Sequence, residues 1–237
     1  MSRINIPASI EAAPAAAKSL LEAVKKQMGS VPNLFRAVAN SPAALEGYLG
    51  LNGALAKGSL DSKTRERIAI AVAEVNGCGY CLSAHTYIGK NVAKLDDAEI
   101  TANRSGVSND LKANAAVHFA VKVVNERGHV SDADIAAVKA AGFDDAQVVE
   151  IVLHVALNTL TNYVNEVAKT EIDFPVVALR SAARPLVGGR GRLDRAATPA
   201  GTDPRPEGFN STFKPMENDN AFRHSYDPRL SGLSRGH

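Results

Sequence analysis

Arg65-Glu66-Arg67-Ile68-Ala69-Ile70-Ala71-Val72-Ala73-Glu74-Val75-Asn76-Gly77-Cys78-Gly79-Tyr80-Cys81-Leu82-Ser83-Ala84-His85 is the stretch that decides how this chain folds. Asn76-Gly77 is a helix stop, because both residues tolerate a left-handed backbone. A helix capped by Asp61 or Ser62 ends there, at about Val75, and a second begins at or just before Cys78. Cys78 is thereby placed near a helix N-terminus, where unsatisfied N–H groups and the positive end of the helix dipole favour a thiolate. At about 100° per residue, Cys78, Cys81 and His85 fall within roughly 60° of one another, flanked by Leu82 and Ile88.

Shared placement on one helix face gives these side chains chemistry. Cysteines three apart can close a disulfide across a helical turn, and a histidine four further on can reach the thiol. A thiol beside a base is an activated nucleophile. Glu66 lies on the preceding helix, and a sharp return at Asn76-Gly77 can bring its carboxylate to the other imidazole nitrogen, fixing the tautomer and raising basicity. Glu74, four residues before Cys78, is the competing carboxylate, with a surface salt bridge as its other reading.

Outward from this centre the chain reads as helices separated by clear punctuation, with no β-rich alternation. Pro14 suits the first turn of a helix that continues to about Lys26 and stops near Gly29. Short helices are expected over 32–38 and 42–55, further ones from Asn109 or Asp110 to Val124 and over 132–141, and the longest from Asp144 to about Lys169. In that last helix Val148, Ile151, Val152, Val155, Leu157, Leu160, Val164 and Val167 cover more than a narrow stripe. That width implies burial between other helices or against another subunit. The expected architecture is an all-α bundle over 1–184.

Composition changes near residue 185. The segment 185–237 holds six of the 11 prolines and seven of the 18 glycines, with eight basic residues against six acidic ones. It is expected to be a disordered extension, with Phe209, Phe213, Phe222 and Tyr226 as the residues that would anchor it if it docks. The 237 residues are 45% hydrophobic and 22% charged, which excludes wholesale disorder and collagen-like repeats. Net charge of +2 does not favour nucleic acid, and no apolar run reaches the roughly 18 residues of a membrane span. Without a secretory or lipidation pattern at either end, a cytoplasmic location is expected.

The pattern Glu66, eleven residues, Cys78-Gly79-Tyr80-Cys81, three residues, His85 resembles the signature of the alkylhydroperoxidase D and carboxymuconolactone decarboxylase-like superfamily. Asn76-Gly77, Ala84-His85-Thr86, and the late run Leu157-Asn158-Thr159-Leu160-Thr161-Asn162-Tyr163 leading to Asp173-Phe174-Pro175 are similar to its peroxidase-related branch. The resemblance implies an all-helical homo-oligomer, an antioxidant enzyme that reduces hydroperoxides with a redox-active cysteine pair and no cofactor. Carried over by position, Cys81 is the peroxidatic thiol, Cys78 the resolving and more exposed one, His85 the proton relay and Glu66 the residue that polarises it. An external dithiol, a lipoyl- or thioredoxin-like protein, resets the pair. Where the best-known member has a second histidine between the cysteines, this chain has Tyr80, a poor base at neutral pH.

Other readings of the same residues are a pair of small core cysteines, or a zinc site in which Glu66, His118 or His154 joins Cys78, Cys81 and His85. His118 and His154 otherwise read as core histidines, and Arg65 and Arg67 as solvated or subunit-contact charges. Leu82 directly after the second cysteine excludes covalent haem attachment. The alternative functions are the lactone-decarboxylating lyase activity of the same superfamily, against which the intact pair argues, and a non-catalytic redox-sensing oligomer.

Overall fold

The computed structural model of the protein describes residues 2–180. Nine helices order the described residues: α1 (Ala15–Met28), α2 (Asn33–Val38), α3 (Pro42–Leu55), α4 (Ser62–Val75), α5 (Gly79–Asn91), α6 (Asp97–Asn103), α7 (Leu111–Asn125), α8 (Asp132–Ala140) and α9 (Asp145–Ala168). No strand occurs among them, so the all-α expectation holds. The extension expected over 185–237, with its four aromatic anchors, lies outside the described residues.

The helix ends follow local chemistry. Asp61, Asp96, Asp110, Ser131 and Asp144 each accept a backbone N–H of the first turn, and Ser131 and Asp144 complete capping boxes with Asp134 and Gln147. Gly29 closes α1 in the left-handed region at φ 77°. Helix α6, for which the sequence offered no separate expectation, is fixed from within by Glu99. That carboxylate receives Arg67 Nε at 2.7 Å, Asn103 Nδ2 at 2.9 Å, the Ser108 hydroxyl at 2.5 Å and Asn109 N at 2.8 Å. Arg67 is therefore an inward ion-pair partner, not the solvated charge expected.

Helix α4 is the axis of the molecule and packs on α5, α7 and α9. Its Ile70 and Ala73 join a core with Leu21, Leu45, Leu82 and Phe174, while Ile68 and Val72 join a second core with Phe119, Val138 and Ile151. Burying each such aliphatic side chain contributes about 1.5–3 kcal/mol, so α4 is held from two sides. Beyond α9 an extended strap, residues 170–180, crosses back over α2 and α5. Asp173 accepts Asn33 N and the Tyr80 hydroxyl at 2.8 Å each, Val177 N donates to Ser83 Oγ at 3.0 Å, and Arg180 N donates to Glu74 at 2.6 Å.

Candidate active site

The α4–α5 corner is built by backbone geometry. Gly77 sits at φ 67°, where a side chain would be strained, and Cys78 N donates to Ala73 O at 3.0 Å across the turn. Cys78 is the N-cap of α5, its sulfur accepting Cys81 N at 3.4 Å, a role usually filled by Ser, Asp or Asn. Cys81 thus lies in the first helical turn, one turn from Cys78 and one before His85. Neither cysteine is in a disulfide.

The return at the corner does what the spacing predicted for Glu66. Its Oε2 lies 2.9 Å from His85 Nδ1, and both side chains are about one-fifth exposed, at 19% and 23%. Burial pulls the imidazole down, but the charge and hydrogen bond of Glu66 and the charge of Cys81 outweigh it, so His85 titrates above its ordinary value. Glu74 is not part of this pair. It holds Arg104 Nε and Arg180 N, each at 2.6 Å, and serves the strap.

Around Cys81 the contacts come from α9. Asn165 Nδ2 donates to the sulfur at 3.2 Å, and Thr161 Oγ1 stands 4.0 Å away as an acceptor for the S–H. The Cys81 thiol is held below the ordinary range by the hydrogen bond from Cys78, against the opposing effect of burial, and further by the charge of His85 and the amides of Asn165 and Asn162. Cys78 moves the other way, raised by donating to Cys81 and by burial. Two sequence expectations change here. The helix start favours the anion at Cys81, not Cys78, because Cys81 has the charge of His85 and the Asn165 amide beside it, whereas the Cys78 sulfur receives only the Cys81 backbone N–H. Cys78 is also not the more exposed thiol, at 0% against 3% for Cys81. No hydrogen bond joins His85 to Cys81, so the imidazole acts on the sulfur through its charge.

Tyr80, the departure from the expected pattern, is used elsewhere. Its hydroxyl donates to Asp173 and accepts Leu34 N at 3.1 Å, and its ring meets Phe174 edge-on at 5.8 Å between centroids. Burial, then the Asp173 carboxylate, raise its pKa, so it locks the strap and is no base. His118 is exposed, contrary to the core reading. His154 is buried with Nε2 unpartnered, and burial followed by the charge of Arg65 pushes it down to about 4. Among the described residues no three His, Cys, Asp or Glu side chains converge as metal ligands.

A cavity of about 250 Å³ opens onto Glu66 and His85, walled by Val24, Met28, Phe35 and Tyr48 and reaching His154. The Tyr48 phenol is kept neutral by burial and by the nearby Cys81 and Glu66 charges. The contacts of Asn165 were not anticipated from sequence. The readable signal was a row of Asn158, Thr161, Asn162 and Asn165, at helical spacing on one face of an otherwise apolar helix.

Similarity to known proteins runs through the helical part of the chain. Residues 42–126 match the carboxymuconolactone decarboxylase family model. An uncharacterized Haemophilus influenzae protein is 43% identical over 63 residues, which is 26% of this chain and 50% of that protein, so the chain matches about half the length of this curated relative. An alkylhydroperoxidase core structure, an uncharacterized peroxidase-related protein from Ralstonia eutropha JMP134, superposes with a TM-score of 0.65 at 26% identity, over 72% of this chain and 92% of that one. A peroxidase-related protein from Silicibacter sp. TM1040, also uncharacterized, shares the fold with a TM-score of 0.63 at 22% identity, over 72% and 91%. Among the described residues no helix is long and apolar enough to cross a membrane.

Proposed function

We propose that this chain, whose helical part is of the alkylhydroperoxidase D and carboxymuconolactone decarboxylase-like superfamily, peroxidase-related branch, is a thiol-dependent peroxidase. The observation that carries the reading is one constellation: Cys81 with its sulfur anion favoured, Cys78 one turn away, and the Glu66–His85 pair facing an apolar cavity. The Cys81 thiolate attacks the terminal peroxide oxygen. An S–O bond forms as the O–O bond breaks, sulfur loses two electrons to the peroxide, and the leaving alkoxide takes a proton from the His85 imidazolium. Cys78 then attacks the sulfenic sulfur, forming the disulfide and releasing water. An external dithiol, carried by a lipoyl- or thioredoxin-like protein, reduces the disulfide, and a reducing compartment such as the cytoplasm suits that step.

The chain acts as a homo-oligomer in this reading. Support comes from an exposed stripe on α9, where Val149, Leu153, Ala156, Leu160, Tyr163 and Val167 alternate four and three residues apart with no charge among them, the spacing of a helix-pairing seam. The test is peroxide consumption coupled to dithiol oxidation by the full chain. Turnover with stoichiometric oxidation of the dithiol is expected. Conversion of a ring-opened aromatic lactone without it would establish the lyase instead, and disulfide formation without turnover would leave a redox sensor.

A further inference from the structure

We propose that Asn162 and Asn165 are positioning residues: two buried amides that hold the sulfur of Cys81 as an anion. The inference deepens the peroxidase reading, and its first test does not depend on peroxide chemistry.

Asn162 is 0% and Asn165 2% exposed, so both pay the desolvation of a primary amide, which is ordinarily offset by saturating its hydrogen bonds. Here the bonding is incomplete in an informative way. Asn165 spends its donor on Cys81 at 3.2 Å and leaves Oδ1 without a partner. Asn162 has its Oδ1 fixed by Asn76 Nδ2 at 2.9 Å, and its own Nδ2 is unpartnered. With the oxygen engaged toward the α4–α5 turn, the amide donor is left over, and Asn162 helps to hold the Cys81 thiol down. Asn158, one turn away on the same face, behaves as a structural asparagine should, its Nδ2 bonded to His154 O at 2.8 Å. Asn162 and Asn165 make no such bond to their own helix.

A neutral thiol is a weak acceptor and would not justify two buried donors, whereas a thiolate accepts both. When the sulfur gains an oxygen, the unpartnered Nδ2 of Asn162 supplies a donor for the sulfenate without rearranging the helix. Asn76 acts through Asn162. A residue of the helix stop thus also orients a donor at the nucleophile.

The experiment is the pH dependence of Cys81 alkylation by iodoacetamide in the full chain, followed on the Cys81 peptide by mass spectrometry. Asn165→Leu should move the midpoint up by about one pH unit, roughly tenfold less thiolate below the midpoint, since a hydrogen bond to a charged group has about that worth. Asn165→Asp keeps the volume and sets a carboxylate beside the sulfur, so it should move the midpoint further in the same direction. Asn162→Leu should shift it less, and should also shorten the life of the Cys81 sulfenate formed by cumene hydroperoxide in Cys78→Ser and trapped by dimedone. A midpoint unmoved in Asn165→Leu and Asn165→Asp, with the helical spectrum and melting retained, overturns the proposal; should Leu fail to fold, Asp alone decides. If the midpoint moves as expected but Cys78→Ser yields no sulfenate, the amide pair stands and the peroxidase reading falls.

Discussion

Helix α9 is amphipathic in the wrong sense over its C-terminal half. Its inner face carries Asn158, Thr161, Asn162 and Asn165, all buried, while its outer face carries Leu160 at 43%, Tyr163 at 59% and Val167 at 67% exposure. In the N-terminal half the inner face is ordinary, with Ile151 and Val155 in the second core. Burying amides and exposing aliphatics both oppose folding of an isolated chain. The inversion is explained if the inner residues serve the sulfur of Cys81 and the outer ones meet a second subunit. One helix would then be both the floor of the site and its link to the oligomer.

The hardest blow to the inner face is loss of the sulfur that its amides serve. Cys81→Ser should abolish peroxide turnover altogether, whereas Cys78→Ser should permit a single oxidation, to a sulfenic acid at Cys81, and no cycle. Peptide mass spectrometry after one equivalent of peroxide checks this. A stable sulfenic acid at Cys78 in Cys81→Ser, with none at Cys81 in the converse variant, would reverse the roles and leave the α9 amides facing the wrong thiol.

Next in size is the charge that His85 sets near the sulfur. Glu66→Gln keeps the shape but removes the carboxylate that holds His85 above its ordinary pKa. The imidazolium is then lost at lower pH, the Cys81 alkylation midpoint moves up, and turnover at neutral pH should fall on the order of 10²- to 10⁴-fold, as for a catalytic relay. The linked effect on stability has a definite sign. A raised histidine pKa contributes stability that is complete below about pH 6.5 and is lost as pH rises through the folded value, so Glu66→Gln should flatten melting temperature against pH over that range. Glu74→Gln should leave the alkylation profile in place, because its carboxylate holds the strap.

How much of this was legible in the residues follows the range of the interactions. Helix ends were readable, because Asp61, Asp110, Gly29 and Asn76-Gly77 act within a turn of themselves. The Glu66–His85 contact was readable too, since one corner of known type joins the two helices. The state of the cysteines was not. Asn165, which donates to the Cys81 sulfur, lies 84 residues downstream of it, and the strap that draws Tyr80 to Asp173 comes from 93 residues away. Arg67 and His118 depart from expectation for a related reason: charge on a helix gives no direction, and only the placement of α6 and α7 turns one inward and the other out.

On the outer face of α9 the effects should be smaller and leave the chemistry in place. Leu160→Glu or Tyr163→Glu puts a charge into the stripe without disturbing a buried contact. Association should weaken by about ten- to a hundredfold, as when one interface anchor is lost, with melting of the separated subunit unchanged. Sedimentation across a dilution series measures it. Unchanged association in both variants would remove the subunit explanation for the outer face.

The smallest expected effect discriminates between the two candidates for covering that face. Deleting 185–237 removes the Phe209, Phe213, Phe222 and Tyr226 side chains that could otherwise lie on the stripe, and leaves the strap with all its ties through Arg180. If a second copy covers α9, the truncated chain should keep its helical spectrum, its Cys81 alkylation midpoint and its association constant within error. If the chain's own last segment covers it, truncation should expose a charge-free apolar strip, visible as new binding of a hydrophobic dye and as stronger self-association. The sign of the change in association therefore decides the occupant: no change favours the second copy, and an increase favours the segment 185–237. A loss of association would place that segment within the subunit contact itself.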